Sequence, residues 1–220
     1  MDAIEIETGA RPDAAVLWLH GLGADGHDFE PVVPELRLPP ALRVRFIFPH
    51  APVRPVTINH RMRMRAWYDI LQLGGGPEDE AGIRESQAAV ERVIAREEER
   101  GIAPARLVIA GFSQGGAIAL QTALRHRTRL AGVLALSTYL PLGASLEKEK
   151  SEANASVPVF MAHGAYDDII PLALAEQSRD HLLALGYGVE WKTYAMPHSV
   201  CGEEIADIAR FLVRILAPAP

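Results

Sequence analysis

Residues 106–116 read RLVIAGFSQGG, and this stretch decides how the rest of the chain is interpreted. Residues 107–110 form a short apolar run that is typical of a buried central strand. The pentapeptide GFSQG that follows fits the pattern G-x-S-x-G, and residues 117–124 are rich in alanine and leucine without a helix breaker. Strand, sharp turn and helix form the context of a nucleophile elbow, which holds a serine hydroxyl clear of the backbone. We therefore predict that Ser113 is a nucleophile; the alternative is a glycine-rich turn with a chance serine.

Composition limits the class of protein. With 220 residues, of which 49% are hydrophobic, the chain can form one α/β domain that spans residues 1–220. The net charge of −6 comes from interleaved acids and bases, so we expect a soluble protein with no basic face for nucleic acid. Cys201 is the only cysteine and no Cys/His cluster has metal-ligand spacing, so we predict no internal disulfide, no metal and no cofactor.

The sequence also bears on location. The first residues, MDAIEIETGARPD, are acidic and lack the basic start and apolar core of a secretory signal. No apolar run approaches the length needed to span a bilayer. We expect a cytoplasmic enzyme without stable membrane insertion.

A glycine-rich loop follows the first apolar run. Residues 14–20 read AAVLWLH and are predicted to be a buried strand, which leads into GLGADG. Such a loop lets backbone N–H groups converge on a carbonyl oxygen that gains negative charge during acyl transfer. We predict that the N–H groups of Leu22 and Gln114 form this oxyanion hole, and that His20 orients the loop. A phosphate loop is the weaker interpretation, because the third spaced glycine and the GxxxxGK[ST] pattern are absent.

The rest of the chain alternates between strand-like and helix-like patterns, which predicts a mostly parallel sheet with helices on both faces. The other predicted strands cover residues 44–48, 130–136, 157–163 and 189–194, and the other helices cover residues 78–101, 172–185 and the end of the chain from residue 205. Residues 147–156 are polar and are expected to be a surface excursion. Active sites on such sheets lie at the carboxyl ends of the strands, where the predicted functional residues converge.

Residues 49–76 lack a clean period, and a stretch of this length is typical of a functional loop or cover. Trp67, Leu71 and Leu73 are predicted to line an acyl pocket, although core packing is an alternative for some of them. Residues 61–65 interleave three arginines with two methionines. This basic tip can approach an anionic surface or a partner, but a solvated loop is the favoured interpretation.

A serine nucleophile needs a base and an acid that orients it, and in this fold class the chain order is Ser, Asp or Glu, then His. His198 lies in the loop between the last strand and the last helix, and we predict that it is the base. The other histidines after the serine are assigned to a helix exit, a strand end and a helix interior: His126, His163 and His181. Asp167 and Asp168 both follow a strand, and neighbouring side chains in an extended loop point in different directions. The residues alone leave the choice between them open.

Six segments, taken in order, resemble those of the carboxylesterase/phospholipase family of α/β-hydrolases, which also contains the acyl-protein thioesterases. They are LHGLGADGHDF, FPHAPVRPVTIN, RAWYDI, GFSQGGAIAL, HGAYDDIIP and PHSVCGEEI, and the similarity covers nearly the whole chain. The resemblance implies an α/β-hydrolase fold without a large cap domain. It also implies that Ser113 is the nucleophile, His198 the base and Asp167 the acid, and that Leu22 and Gln114 supply the oxyanion donors.

Two features depart from the family pattern. The segment HRMRMR is more basic than is usual there, which affects the edge of the substrate entrance. Asp168 stands where a proline is common, which adds a charge beside the expected acid.

These observations predict a serine carboxylic-ester hydrolase that acts on short-to-medium acyl esters through an acyl-enzyme intermediate. The alternative is a lysophospholipase or an acyl-protein thioesterase, and a non-catalytic hydrolase-like binding module is a further one. The predicted partner is a small-molecule or lipid acyl ester. A homodimer is possible through an exposed apolar cover near the site.

Overall fold

The computed structural model describes residues 1–72 and 76–217. The strands are β1 (Ala3–Glu7), β2 (Ala14–Leu19), β3 (Val44–Pro49), β4 (Val53–Val56), β5 (Met62–Arg65), β6 (Leu107–Phe112), β7 (Gly132–Leu136), β8 (Val159–Gly164) and β9 (Val189–Tyr194). The α-helices are α1 (Val32–Glu35), α2 (Glu80–Glu99), α3 (Gln114–Ala123), α4 (Gly143–Glu149), α5 (Leu172–Ala184) and α6 (Gly202–Leu216).

The central sheet has seven strands in the order β1-β3-β2-β6-β7-β8-β9. β1 pairs with β3 in the antiparallel direction, and the pairs from β3 to β9 are parallel. Because the side chains of a strand alternate between the two faces, Leu17 and Ile109 pack with α2 and α3 on one face. Val16 and Val108 pack with α6 on the other. The predicted mostly parallel sheet with helices on both faces is therefore confirmed.

In helix α2, local sequence signals account for the start, the buried face and the end of the helix. The side chain of Asp79 caps its start by accepting from the N–H of Gly82. Ile83, Val90 and Ile94 form its buried face. Just past its end, Gly101 adopts a φ of +91°, which only glycine adopts without strain.

The segment before α2 differs from the prediction. Instead of an irregular loop, β4 and β5 form a two-stranded antiparallel hairpin, closed by His60 and Arg61, which both have positive φ. Residues 62–65 alternate basic and apolar side chains, which is a two-residue period, but the run of four is too short to stand out in the sequence. The predicted basic tip is therefore part of a hairpin.

Two further elements were not predicted as they stand. β1 is a half-buried edge strand whose sequence, AIEIE, alternates correctly but has only five residues. The expected surface excursion at residues 147–156 instead contains the end of α4 and a short 3₁₀ turn around the fully buried Asn154. The side chain of Asn154 donates to the carbonyls of His126 and Thr128, and such anchoring contacts leave no periodic signal.

In the part of the chain that the structure describes, the helices all fall short of the length and apolar character that a bilayer crossing requires.

Candidate active site

Ser113 lies in the turn between β6 and α3, with φ 55° and ψ −123°. This is a strained conformation for a residue other than glycine. It persists because the flanking glycines allow very close packing: a Cβ at Gly111 would collide with the backbone of Gly115, and a Cβ at Gly115 with the carbonyl of Leu19. The Ser113 N–H donates to the carbonyl of Leu136 at 2.8 Å, which fixes the turn against β7.

The structure brings Ser113, His198 and Asp167 into one hydrogen-bonded chain. Nε2 of His198 lies 2.9 Å from the Oγ of Ser113, and its Nδ1 lies 2.6 Å from Oδ2 of Asp167. The ring of His198 also packs against Phe112, with 4.7 Å between ring centroids. A serine joined to an imidazole whose other nitrogen is held by a carboxylate is the arrangement that activates a hydroxyl for nucleophilic attack.

The same geometry separates the two aspartates that the sequence left open. Asp167 is buried, and its Oδ1 accepts from the backbone N–H groups of Ile169 at 2.9 Å and Ile170 at 2.8 Å. Asp168 is exposed to solvent. Asp167 is thus the carboxylate that contacts His198, as the family resemblance implied.

The loops that carry the acid and the histidine support each other. Beyond the end of β8, the N–H of Ala165 donates to the carbonyl of Tyr194, and that of Tyr166 donates to the carbonyl of Met196. Gly164 lies so close to the carbonyls of Met196 and Pro197 that a Cβ there would collide with both. The histidine loop is therefore fixed to the acid loop through backbone contacts.

The predicted oxyanion donors lie beside the serine. Leu22 and Gln114 line the same pocket as Ser113, and among the described residues neither amide donates to a carbonyl. Gln114 is the first residue of α3, where the helix dipole favours negative charge. The oxyanion hole formed by these two amides stays a prediction.

His20, at the end of β2, contacts the glycine-rich loop that contains Leu22, as expected from its place in the sequence. Its Nε2 accepts from the N–H of Ala51 at 3.0 Å, so Nδ1 carries the proton and donates to the carbonyl of Gly21 at 2.7 Å. Burial lowers the pKa of His20, which favours this neutral form. The N–H of Gly23 ties the loop to the hairpin by donating to the carbonyl of Arg65.

A pocket of about 460 Å³ opens at the serine. Its volume lies within the range of about 300–1,000 Å³ that is usual for small-molecule sites. Leu71 and Ile169 lie in its lining and are respectively 40% and 49% exposed, so they stand at its mouth. Asp69 and Glu78 add carboxylates to the same wall. The pocket is therefore mainly apolar, with a polar sector.

Of the three residues predicted for the acyl pocket, the structure places Leu71 in the lining but not Trp67. Trp67 is fully buried, and its indole N–H donates to the carbonyl of His20 at 2.9 Å. Its neighbour Tyr68, in the same bend of the chain, lines the pocket instead. Leu73 lies outside the described residues.

Sequence reasoning also missed how this wall is held. The side chain of Gln114 accepts from the N–H of Trp67 at 2.8 Å and donates to the carbonyl of Tyr68 at 2.7 Å. The hydroxyl of Tyr68 meets that of Tyr139 at 2.7 Å inside the pocket. Tyr139 follows β7, and its position after a strand end was the only signal in the sequence.

Among the described residues, no cluster of His, Cys, Asp and Glu has the geometry of a metal site.

Comparison with known proteins gives consistent matches over the whole length. The family model described as Phospholipase/Carboxylesterase matches residues 1–216. Acyl-protein thioesterase 1 of Neurospora crassa is 43% identical over 94% of this chain and 89% of its own length. Acyl-protein thioesterase 1 of Mycosarcoma maydis is 40% identical over 97% and 95%. The crystal structure of Arabidopsis thaliana SOBER1 superposes with a TM-score of 0.88 at 31% identity, covering 92% of this chain and 99% of that one.

Proposed function

Because the chain belongs to the phospholipase/carboxylesterase family of hydrolases, we propose that it removes acyl groups from thioesters and oxygen esters, as an acyl-protein thioesterase does. The observation that carries the proposal is the hydrogen-bonded chain from Asp167 through His198 to Ser113, which ends at the floor of a largely apolar pocket. The proposed substrates differ from the short-to-medium acyl esters that the sequence analysis predicted. The change rests on the relatives at 40–43% identity, which are named acyl-protein thioesterases.

In the proposed reaction, Nε2 of His198 takes the proton of Ser113 as Oγ forms a bond to the acyl carbon. Asp167 stabilises the imidazolium through Nδ1. The carbonyl oxygen, now an oxyanion, accepts from the N–H groups of Leu22 and Gln114. The bond to the leaving thiol or alcohol then breaks, and the leaving group departs with the proton from His198.

The second half of the reaction returns the enzyme to its starting state. His198 removes a proton from water as the water oxygen attacks the acyl carbon of the Ser113 ester. The tetrahedral intermediate collapses to the free carboxylic acid, and His198 returns the proton to Oγ of Ser113. No metal or organic cofactor takes part in this scheme.

A second candidate is a carboxylesterase for short acyl groups. It is favoured by the polar sector of the pocket, where Asp69, Glu78 and the hydroxyl pair of Tyr68 and Tyr139 stand in the wall. A long alkyl chain that covers the carboxylates of Asp69 and Glu78 removes them from water without supplying hydrogen bonds, which is unfavourable. A short chain avoids that cost.

The test is hydrolysis of matched thioesters and oxygen esters whose acyl groups lengthen from acetyl to palmitoyl, with Ser113→Ala as the blank. The proposal predicts that kcat/KM rises with chain length and that thioesters are cleaved at least as well as esters. A steep fall beyond short chains would favour the carboxylesterase. Absence of turnover across the series by folded protein would refute both and would favour a binding module.

A further inference from the structure

His163 lies at the end of β8, fully buried, and the proposed reaction does not use it. Its Nε2 lies 2.8 Å from the carbonyl oxygen of Ile170 and 3.3 Å from Oδ2 of Asp167. The carbonyl oxygen of Ile170 can only accept, so Nε2 carries the ring proton and donates to it, while the 3.3 Å approach to Oδ2 is a close contact without hydrogen-bond geometry. His163 therefore contacts the same carboxylate oxygen that binds His198.

The surroundings of the other ring nitrogen, Nδ1, bear on why position 163 holds a histidine rather than an apolar ring. Nδ1 is buried and has no hydrogen-bond partner among the described residues. An unpaired buried acceptor lowers stability, and an apolar ring of similar shape would avoid that cost. The ring stacks on Trp191, with 6.5 Å between centroids, a packing that a phenyl ring also provides. The benefit of an imidazole here must therefore come from Nε2.

The contacts of the carboxylate indicate what that benefit is. Oδ1 of Asp167 accepts from two backbone N–H groups, and Oδ2 faces both His198 and His163. Rotation of the carboxyl group would break bonds at both oxygens. Through Ile170, His163 also ties the far end of the acid loop to the strand from which the loop departs.

Resting on the proposed function, we propose that His163 is a positioning residue whose Nε2–H, by bonding to the carbonyl of Ile170, anchors the acid loop so that Oδ2 of Asp167 stays in place for His198. It acts as a neutral donor, so it adds no charge that would compete with the His198 imidazolium for the carboxylate. Burial lowers the pKa of His163, in agreement with a neutral ring. His163 touches no substrate and acts only through Asp167.

The test compares three substitutions at this position. His163→Phe keeps the ring and removes the donor, His163→Gln can place an amide N–H near the position of Nε2, and His163→Asn is too short to do so. The ring of the buried His126 bonds to Glu91 and Thr128 and to none of the triad residues, and His126→Gln is the matched control. The readouts are kcat, KM and the low-field proton resonance of the hydrogen bond between His198 and Asp167.

We expect His163→Phe to lower kcat about 10- to 100-fold with little change in KM, and to shift or broaden the low-field resonance. His163→Gln should recover most of kcat and the resonance, whereas His126→Gln should leave both unchanged. If His163→Phe does not fold, the contrast between Gln and Asn gives the same answer.

The proposal is overturned if the Phe variant, or the Asn variant in its place, retains kcat within about twofold and an unchanged resonance. It is also overturned if Gln and Asn impair the enzyme equally. Failure of the proposed function gives a different result: wild-type protein would not turn over substrate, while the resonance would still report whether His163 holds Asp167.

Discussion

Ser113, Asp167 and His198 each lie shortly after the end of a parallel strand, whereas much of the pocket beside them comes from residues 58–72 and 76–79, outside the central sheet. Backbone hydrogen bonds and close glycine contacts hold the first region. The second has a backbone hydrogen bond from Ile58 to Ile70 and several side-chain contacts, among them those that Gln114 makes to the backbone of Trp67 and Tyr68. The sheet thus positions the proposed reacting groups, while a few side chains help to fix the wall of the pocket that we propose takes the acyl group.

The most severe test of the triad region separates the two neighbouring aspartates. Asp167→Asn removes the negative charge that stabilises His198 and should lower kcat by about 10⁴-fold. Asp168→Asn is the matched control: its side chain is exposed, so kcat should stay within about threefold. Steady-state kinetics on one activated ester would check both. Equal losses in the two variants would mean that the acid is wrongly assigned.

The second prediction breaks the link between the two regions. Gln114→Met keeps the backbone N–H of residue 114 but leaves the N–H of Trp67 and the carbonyl of Tyr68 without their partner. We expect the free energy of unfolding to fall by about 1–3 kcal/mol. We also expect KM to rise about tenfold, which corresponds to about 1.4 kcal/mol of binding, with a smaller change in kcat.

Denaturant unfolding and kinetics on the same preparation would measure both effects of Gln114→Met. A loss confined to kcat would contradict the division between the regions, because it would mean that the Gln114 side chain supports the reacting groups rather than the pocket wall.

The third prediction concerns a substitution in the pocket wall that should change acyl-chain preference. Tyr68→Phe removes one hydroxyl of the Tyr68–Tyr139 pair and leaves the hydroxyl of Tyr139 without that partner. The ratio of kcat/KM for a long acyl chain to that for acetyl should fall a few-fold, since a long chain then covers an unpaired hydroxyl. Turnover of the acetyl substrate should change little. An unchanged ratio would place the acyl chain elsewhere in the pocket.

The smallest effect on activity is expected at Glu204, a buried residue in the first turn of α6, just after the histidine loop. Burial raises its pKa to about 8, from an ordinary value of 4.5. The folded protein thus keeps a proton that the unfolded chain releases above pH 4.5. The contribution of Glu204 to stability is complete below that pH and is lost as the pH rises to about 8.

Glu204→Gln is neutral at every pH and should remove this loss. The difference in unfolding free energy between the variant and wild type should shift in favour of the variant by more than about 1 kcal/mol from pH 4.5 to pH 8.5. We expect kcat to stay unchanged. Glu203→Gln, at the exposed neighbouring position, is the control and should leave the pH dependence as it is. Parallel pH dependences in wild type and Glu204→Gln would contradict the buried, protonated carboxyl.

The same division explains what could be predicted from the sequence. The strands β2, β3, β6, β7 and β8 were predicted because mostly apolar runs end at glycine, proline or polar residues, and the elbow because G-x-S-x-G follows such a run. In β9, the apolar Val189 and Trp191 instead alternate with charged residues. The hairpin β4–β5 was missed because four-residue strands carry little periodicity. The clamp by Gln114 and the contact between His163 and Asp167 join residues that the fold alone brings together, so local patterns give no signal for them.

Covalent labelling by a fluorophosphonate tests whether Ser113 is the nucleophile. We predict that Oγ of Ser113 bonds to phosphorus as fluoride leaves, so intact mass spectrometry should find one adduct and peptide mapping should locate it on Ser113. Ser113→Ala should remain unlabelled, and Asp167→Asn should label far more slowly. An adduct at another residue, or equal labelling of the Ser113→Ala variant, would contradict the assignment of Ser113 as the nucleophile.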